Sequence, residues 1–80
     1  MTISEAVVRR IFELCDERQI TVNKISNTSG VTQSTVSDIV NGTTTNAGIA
    51  TIKKLCDGFE ISVRDFFDSG LFDTLEQEIK

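Results

Sequence analysis

The chain has 80 residues, a net charge of −4, two cysteines and no histidine. That length holds one domain, which buries only about 60% of its unfolded surface and so needs an efficient core. No apolar run approaches the ~20 residues of a membrane span, and no basic stretch followed by an apolar one opens the chain; neither membrane insertion nor secretion is indicated, and a cytoplasmic location is expected.

Hydrophobic periodicity is helical almost throughout, so the fold class expected is all-α, in a single domain with a core over residues 4–68 and an acidic amphipathic segment over residues 69–80. Thr2 and Glu5 make a capping box for a first helix running to Arg18, with Val7, Val8, Ile11, Phe12, Leu14 and Cys15 on a broad stripe expected to be buried. Thr21 caps a short second helix whose inward residue is Ile25, and Gly30 supplies the positive φ for a sharp turn. Val31 plugs that turn. Thr32 caps a third helix with Val36, Ile39 and Val40 on one face, ended by Asn41-Gly42.

The loop GTTTNAG carries no basic residue and leads to a fourth helix with Ile49, Ile52, Leu55 and Cys56 at core spacing. Ser62 with Asp65 starts a short fifth helix bearing Phe66 and Phe67, assigned to the core. After Gly70, the spacing of Leu71, Phe72, Leu75 and Ile79 predicts a sixth amphipathic segment with few partners in so small a body. Its stripe either closes the core or pairs with a second copy; Leu71, Phe72 and Leu75 are the candidates for a two-fold interface. Cys15 and Cys56 fall on apolar faces and are expected as buried reduced thiols. Without histidine there is no zinc-ligand spacing, and neither a metal nor a cofactor is expected.

The second and third helices have the arrangement of a helix-turn-helix. The outward face of the third carries Gln33, Ser34, Thr35, Ser37 and Asp38, all short or amide-bearing, which suits the groove of duplex DNA better than a core. The strings SGVTQSTVSDIVNG and TIKKLCDGFEISVRDFF, within a likeness from Ile11 to Phe67, resemble the lambda-repressor/Cro-like (XRE-type) helix-turn-helix family. That resemblance implies a compact five-helix domain whose third helix enters the major groove. It also implies a bacterial or phage-type, nucleoid-associated regulator that binds as a homodimer; the shortness of the chain is what favours a repressor over an activator. By resemblance Gln33 and Ser34 take the first base-reading positions, followed by Thr35, Ser37 and Asp38. A glutamine amide donates and accepts at once and so matches adenine N6 and N7. Asn23, Lys24, Asn41, Thr43, Thr44 and Asn46 are the residues expected to position phosphates.

Several positions depart from the family pattern. Val22 stands where many members have a glutamine that supports the third helix. Cys15 and Val40 replace a frequent arginine–glutamate pair, an exchange that can be neutral or stabilising. Glu60 stands where a glycine often ends the fourth helix.

Charge is the counterweight to a DNA reading, because Lys and Arg supply most non-specific affinity for phosphates. Residues 1–56 hold six basic and five acidic groups; residues 57–80 hold seven acidic groups against Arg64 and Lys80. The acid is concentrated at the carboxy-terminal end. The rival function is a protein-interaction module of the same fold, docking a partner through the exposed third helix or the acidic segment, with weak or no DNA binding. Catalysis is not expected: no nucleophile lies beside a base, and no glycine-rich phosphate cradle joins a strand to a helix.

Overall fold

Five helices follow one another in the computed structural model, which describes residues 1–43 and 46–79: α1 (Ile3–Glu17), α2 (Val22–Ser29), α3 (Gln33–Val40), α4 (Ile49–Phe59) and α5 (Val63–Phe67). A 3₁₀ turn at Gly70–Phe72 comes after them. Among the described residues there is no strand, and no helix is long and apolar enough to cross a membrane.

Local chemistry sets most of the boundaries. Thr2 Oγ1 accepts from the Glu5 N–H at 3.2 Å while Glu5 Oε1 accepts from the Thr2 N–H at 2.9 Å, so the expected capping box is formed in both directions. Thr21, Thr32 and Ser62 cap α2, α3 and α5 through hydroxyls that accept backbone N–H groups three residues on. Helix α3 ends in a Schellman pair: Gly42, at φ +75°, donates to Ile39 O, and Thr43 donates to Asp38 O. Helices α1 and α4 end with the same pairing, but the left-handed residue is Gln19 in one case and Glu60 in the other, at φ +55° and +61°. Glu60 thus adopts a left-handed backbone conformation, in a region that costs an L-residue free energy.

Helix α2 packs chiefly against α4, and the core gathers Ile11, Leu14, Ile25, Val36, Ile52, Leu55, Cys56, Phe59 and Phe66. The two helices approach closely at Gly58. A Cβ there would lie 2.9 Å from Ser29 Cβ and 3.1 Å from Ser29 Cα, so only glycine fits without displacement. Cys15 and Cys56 are buried free thiols, and burial pushes both thiol pKa values up, against thiolate chemistry. Cys15 is part of this core and Val40 packs against it, in place of the family's ion pair.

Three placements differ from expectation. Phe12 is 47% exposed and Ile49 75% exposed; each sits at the margin of an apolar stripe, beyond what the neighbouring helices cover. The segment after Gly70 makes one 3₁₀ turn and no sixth helix, because a short stretch with Asp73, Glu76 and Glu78 does not repay helix nucleation. Phe72, a candidate for a two-fold interface with Leu71 and Leu75, is half-buried and packs on the aromatic cluster. Its ring stands edge-on to Phe67 with centroids 4.9 Å apart and lies 6.4 Å from that of Phe66. Leu71 and Leu75 are half-buried.

Arg10 anchors this end of the molecule. It is buried on α1, donates from Nε to Phe66 O at 2.6 Å and from Nη2 to Asp65 O at 2.8 Å, and pairs through Nη1 with Glu13. The carbonyls at the end of a five-residue helix have no partners within it, and the planar guanidinium supplies them from another element. Beyond the 3₁₀ turn the chain lies along the start of α1. There the Met1 ammonium is 3.5 Å from Glu76 Oε2, and the Glu76 N–H donates to Met1 O at 3.0 Å.

Candidate nucleic-acid interface

The turn between α2 and α3 is built from side-chain hydroxyls. Gly30 takes the left-handed conformation at φ +74° and sends the chain back across α2. The buried Ser26 Oγ donates to Val31 O at 2.9 Å, and Ser29 Oγ accepts from the Val31 N–H at 3.4 Å. Val31, Val36 and Ile39 then fasten α3 to the body, leaving its other side to solvent.

On that side Gln33, Ser34 and Asp38 are exposed, while Thr35 and Ser37 are half-buried. Thr35 Oγ1 lies 2.7 Å from Thr32 Oγ1, so its hydroxyl is already engaged in the cap. Ser37 lines a small cleft between α2 and α3 with Val22, Asn23 and Gln33. Gln33 is held from α2: its Nε2 donates to Asn23 Oδ1. One amide N–H is thereby used, and Oε1 with the second N–H stays available, the donor–acceptor pair that adenine N7 and N6 require. Asn23 keeps its own NH2 as a donor. At the start of α2, Val22 packs against the core, and Asn23 one position later supports Gln33. The sequence assigned Asn23 to phosphates only; its link to Gln33 needs the crossing of two helices to be seen.

The residues assigned to phosphates are spread around the same side. Asn23 and Lys24 are exposed in the first turn of α2, and Asn41 and Thr43 are exposed at the end of α3. The Thr43 N–H is taken by Asp38 O at 2.9 Å, which leaves its hydroxyl as the remaining donor. Asn46 is exposed ahead of α4, and Thr44 lies outside the described residues. Lys24 and Asp38 are the charged residues between Thr21 and Thr43, so the face is electrically near neutral. Of the other cations, Lys53 pairs with Asp57, and Arg18 pairs with Glu17 at 3.6 Å while its Cζ stands 5.6 Å above the Phe59 ring.

A short helix, a tight glycine turn and a second short helix with a polar outer face, set in an all-helical body, define a helix-turn-helix protein. The model of the Cro/C1-type helix-turn-helix DNA-binding domain matches residues 10–69, and the chain belongs to that family. It is also similar to a solved crystal structure, that of the prophage Lp1 protein 11. The TM-score is 0.82 and the identity 33%, and the alignment covers 94% of this chain and 99% of that one. No curated protein sequence matches the chain.

Proposed function

We propose that the protein is a sequence-specific regulator of transcription, a repressor that inserts α3 into the major groove of duplex DNA. The observation that carries the reading is the Gln33 amide, exposed on the first turn of α3 and oriented by Asn23. Ser34 is the second exposed reader; Ser37 permits close approach; Thr35 offers its methyl group, because its hydroxyl is engaged with Thr32. Asp38 either accepts from cytosine N4 or stays solvated. Asn23, Lys24, Asn41, Thr43 and Asn46 position the backbone, mostly through neutral hydrogen bonds. Pairing of two copies, with Leu71, Phe72 and Leu75 at the contact, would set two α3 helices about 34–36 Å apart on successive turns of DNA.

Selection on randomised duplexes tests the readout. Gln33→Ala should cost about 1–3 kcal/mol at the preferred site and relax preference at one base pair, and Asn23→Ala should lose part of the same preference. With about two to four cationic phosphate contacts, the log–log salt slope should lie near −2 to −4 per monomer. An unchanged preference in Gln33→Ala removes Gln33 from the readout. The near-neutral face favours one second reading, a protein-interaction module of the same fold. Absence of duplex binding at low salt would select it.

A further inference from the structure

The first turns of α1, the end of α3, the start of α4 and Phe67 of α5 enclose an apolar groove of about 390 Å³. Its walls are aliphatic, with Val7, Val8, Ile39 and Ile52 inside and Ile3 and Ile49 at the mouth. Ile3 is 39% exposed and Ile49 75%, so the apolar surface continues outside the groove, as it does where a macromolecule rather than a small ligand is received. Among the described residues, the charged ones lining the groove are Glu5 and Glu78. The Glu5 carboxylate is held at the rim by the Thr2 N–H and hydroxyl. Two carboxylates at the rim favour a cation there.

We propose that this groove is a docking site for a short amphipathic segment of a partner protein, one that presents aliphatic or aromatic anchors flanked by lysine or arginine. The anchors fill the groove between Val8 and Ile52 and cover Ile49, while the basic flanks meet Glu5 and Glu78. Apolar anchors laid into a groove with complementary charge at its edges are a recurring mode of helix recognition. Docking here would touch Gly42 and Asn46, which border the groove just beyond α3.

The test uses the full chain without DNA, so its failure is distinct from failure of the DNA reading. A fluorescein-labelled peptide of leucine and lysine with leucines at helical i, i+3, i+4 spacing is titrated by anisotropy. It is set beside a scramble of the same composition and a leucine–glutamate counterpart. The patterned basic peptide should saturate at least about tenfold more tightly than either control. Its amide shifts should fall on Ile3–Val8, Gly42, Ile49 and Phe67. Ile49→Lys and Glu78→Lys, both at exposed positions, should each weaken it by about tenfold or more with an unchanged circular dichroism spectrum. Equal binding of the scramble, shifts confined to other faces, or variants that bind normally would overturn the proposal. So would concentration-dependent dimerisation that Ile49→Lys abolishes, since the occupant would then be a second copy.

Discussion

The α2–α3 pair and the carboxy-terminal run from α5 to residue 79 are each too short to fold alone, yet they are fastened to the body by different chemistry. The first is held by aliphatic side chains and by the close approach of α2 to Gly58, with polar hydroxyls closing the turn. The second is held by three phenylalanine rings, by Arg10 on two backbone carbonyls and by the Met1–Glu76 pair. In the first, burial on one side of α3 leaves a whole polar face outward. In the second, the rings and the half-buried leucines are drawn toward the body and the acids remain outside. A helix that reads a ligand must be gripped from behind; a closing segment has its best side chains in the grip itself.

Phe66→Ala attacks the second grip where it is fully buried. It should cost about 3–5 kcal/mol, a large part of the stability of so small a domain, and loosen Phe67 and Phe72 with it. Urea denaturation reads this directly, and a loss under about 1 kcal/mol would mean that the rings do not fasten the segment.

Gly58→Ala attacks the first. The added methyl meets the Ser29 backbone, an overpacking cost of about 1–3 kcal/mol, while alanine returns about 0.8–1 kcal/mol of helix propensity. The expected net is a loss of up to about 2 kcal/mol in the same assay. A stabilised variant would show that α2 and α4 have slack at their crossing.

Glu60→Gly works in the other direction. Its left-handed backbone joins α4 to α5 and hence the two regions, and glycine should relieve strain there for a gain of about 1 kcal/mol, seen as a higher Tm.

The smallest effect concerns the start of α1, where the carboxy-terminal segment is strapped. Hydrogen bonds from the Thr2 N–H and hydroxyl hold the Glu5 carboxyl below its ordinary value of 4.5. A depressed folded pKa stabilises the fold above the unfolded value and is lost as pH falls through the folded one. Stability should therefore drop on acidification below 4.5, and Thr2→Ala should flatten that part of the profile, as thermal melts at stepped pH would show.

Much of the fold was legible in local chemistry. Thr2, Thr21, Thr32 and Ser62 mark helix starts because a hydroxyl satisfies N–H groups only three residues away, and Gly30 and Gly42 mark turns because their φ is positive. The outward face of α3 followed from its periodicity. Glu60 was visible only as a departure from a family pattern, and Gln19, with the same geometry, gave no signal.

What depended on distant partners was not legible. Periodicity says that Phe12, Ile49 and Phe72 lie on apolar stripes, but whether a neighbouring element reaches far enough to cover each one depends on helix crossings; two are left exposed and one is half-buried against Phe67. Arg10 reads as a surface charge until α5 brings it two carbonyls, 55 and 56 residues away in the chain. Asn23 and Gln33, ten residues apart, meet only because the glycine turn folds α3 back against α2. The chain by itself determined where helices begin, where they turn and which face of α3 stays polar, since those are contests among neighbouring atoms. Only the tertiary structure decided which apolar groups are covered, which charge is buried and which amide is oriented, since those depend on surfaces that meet through space.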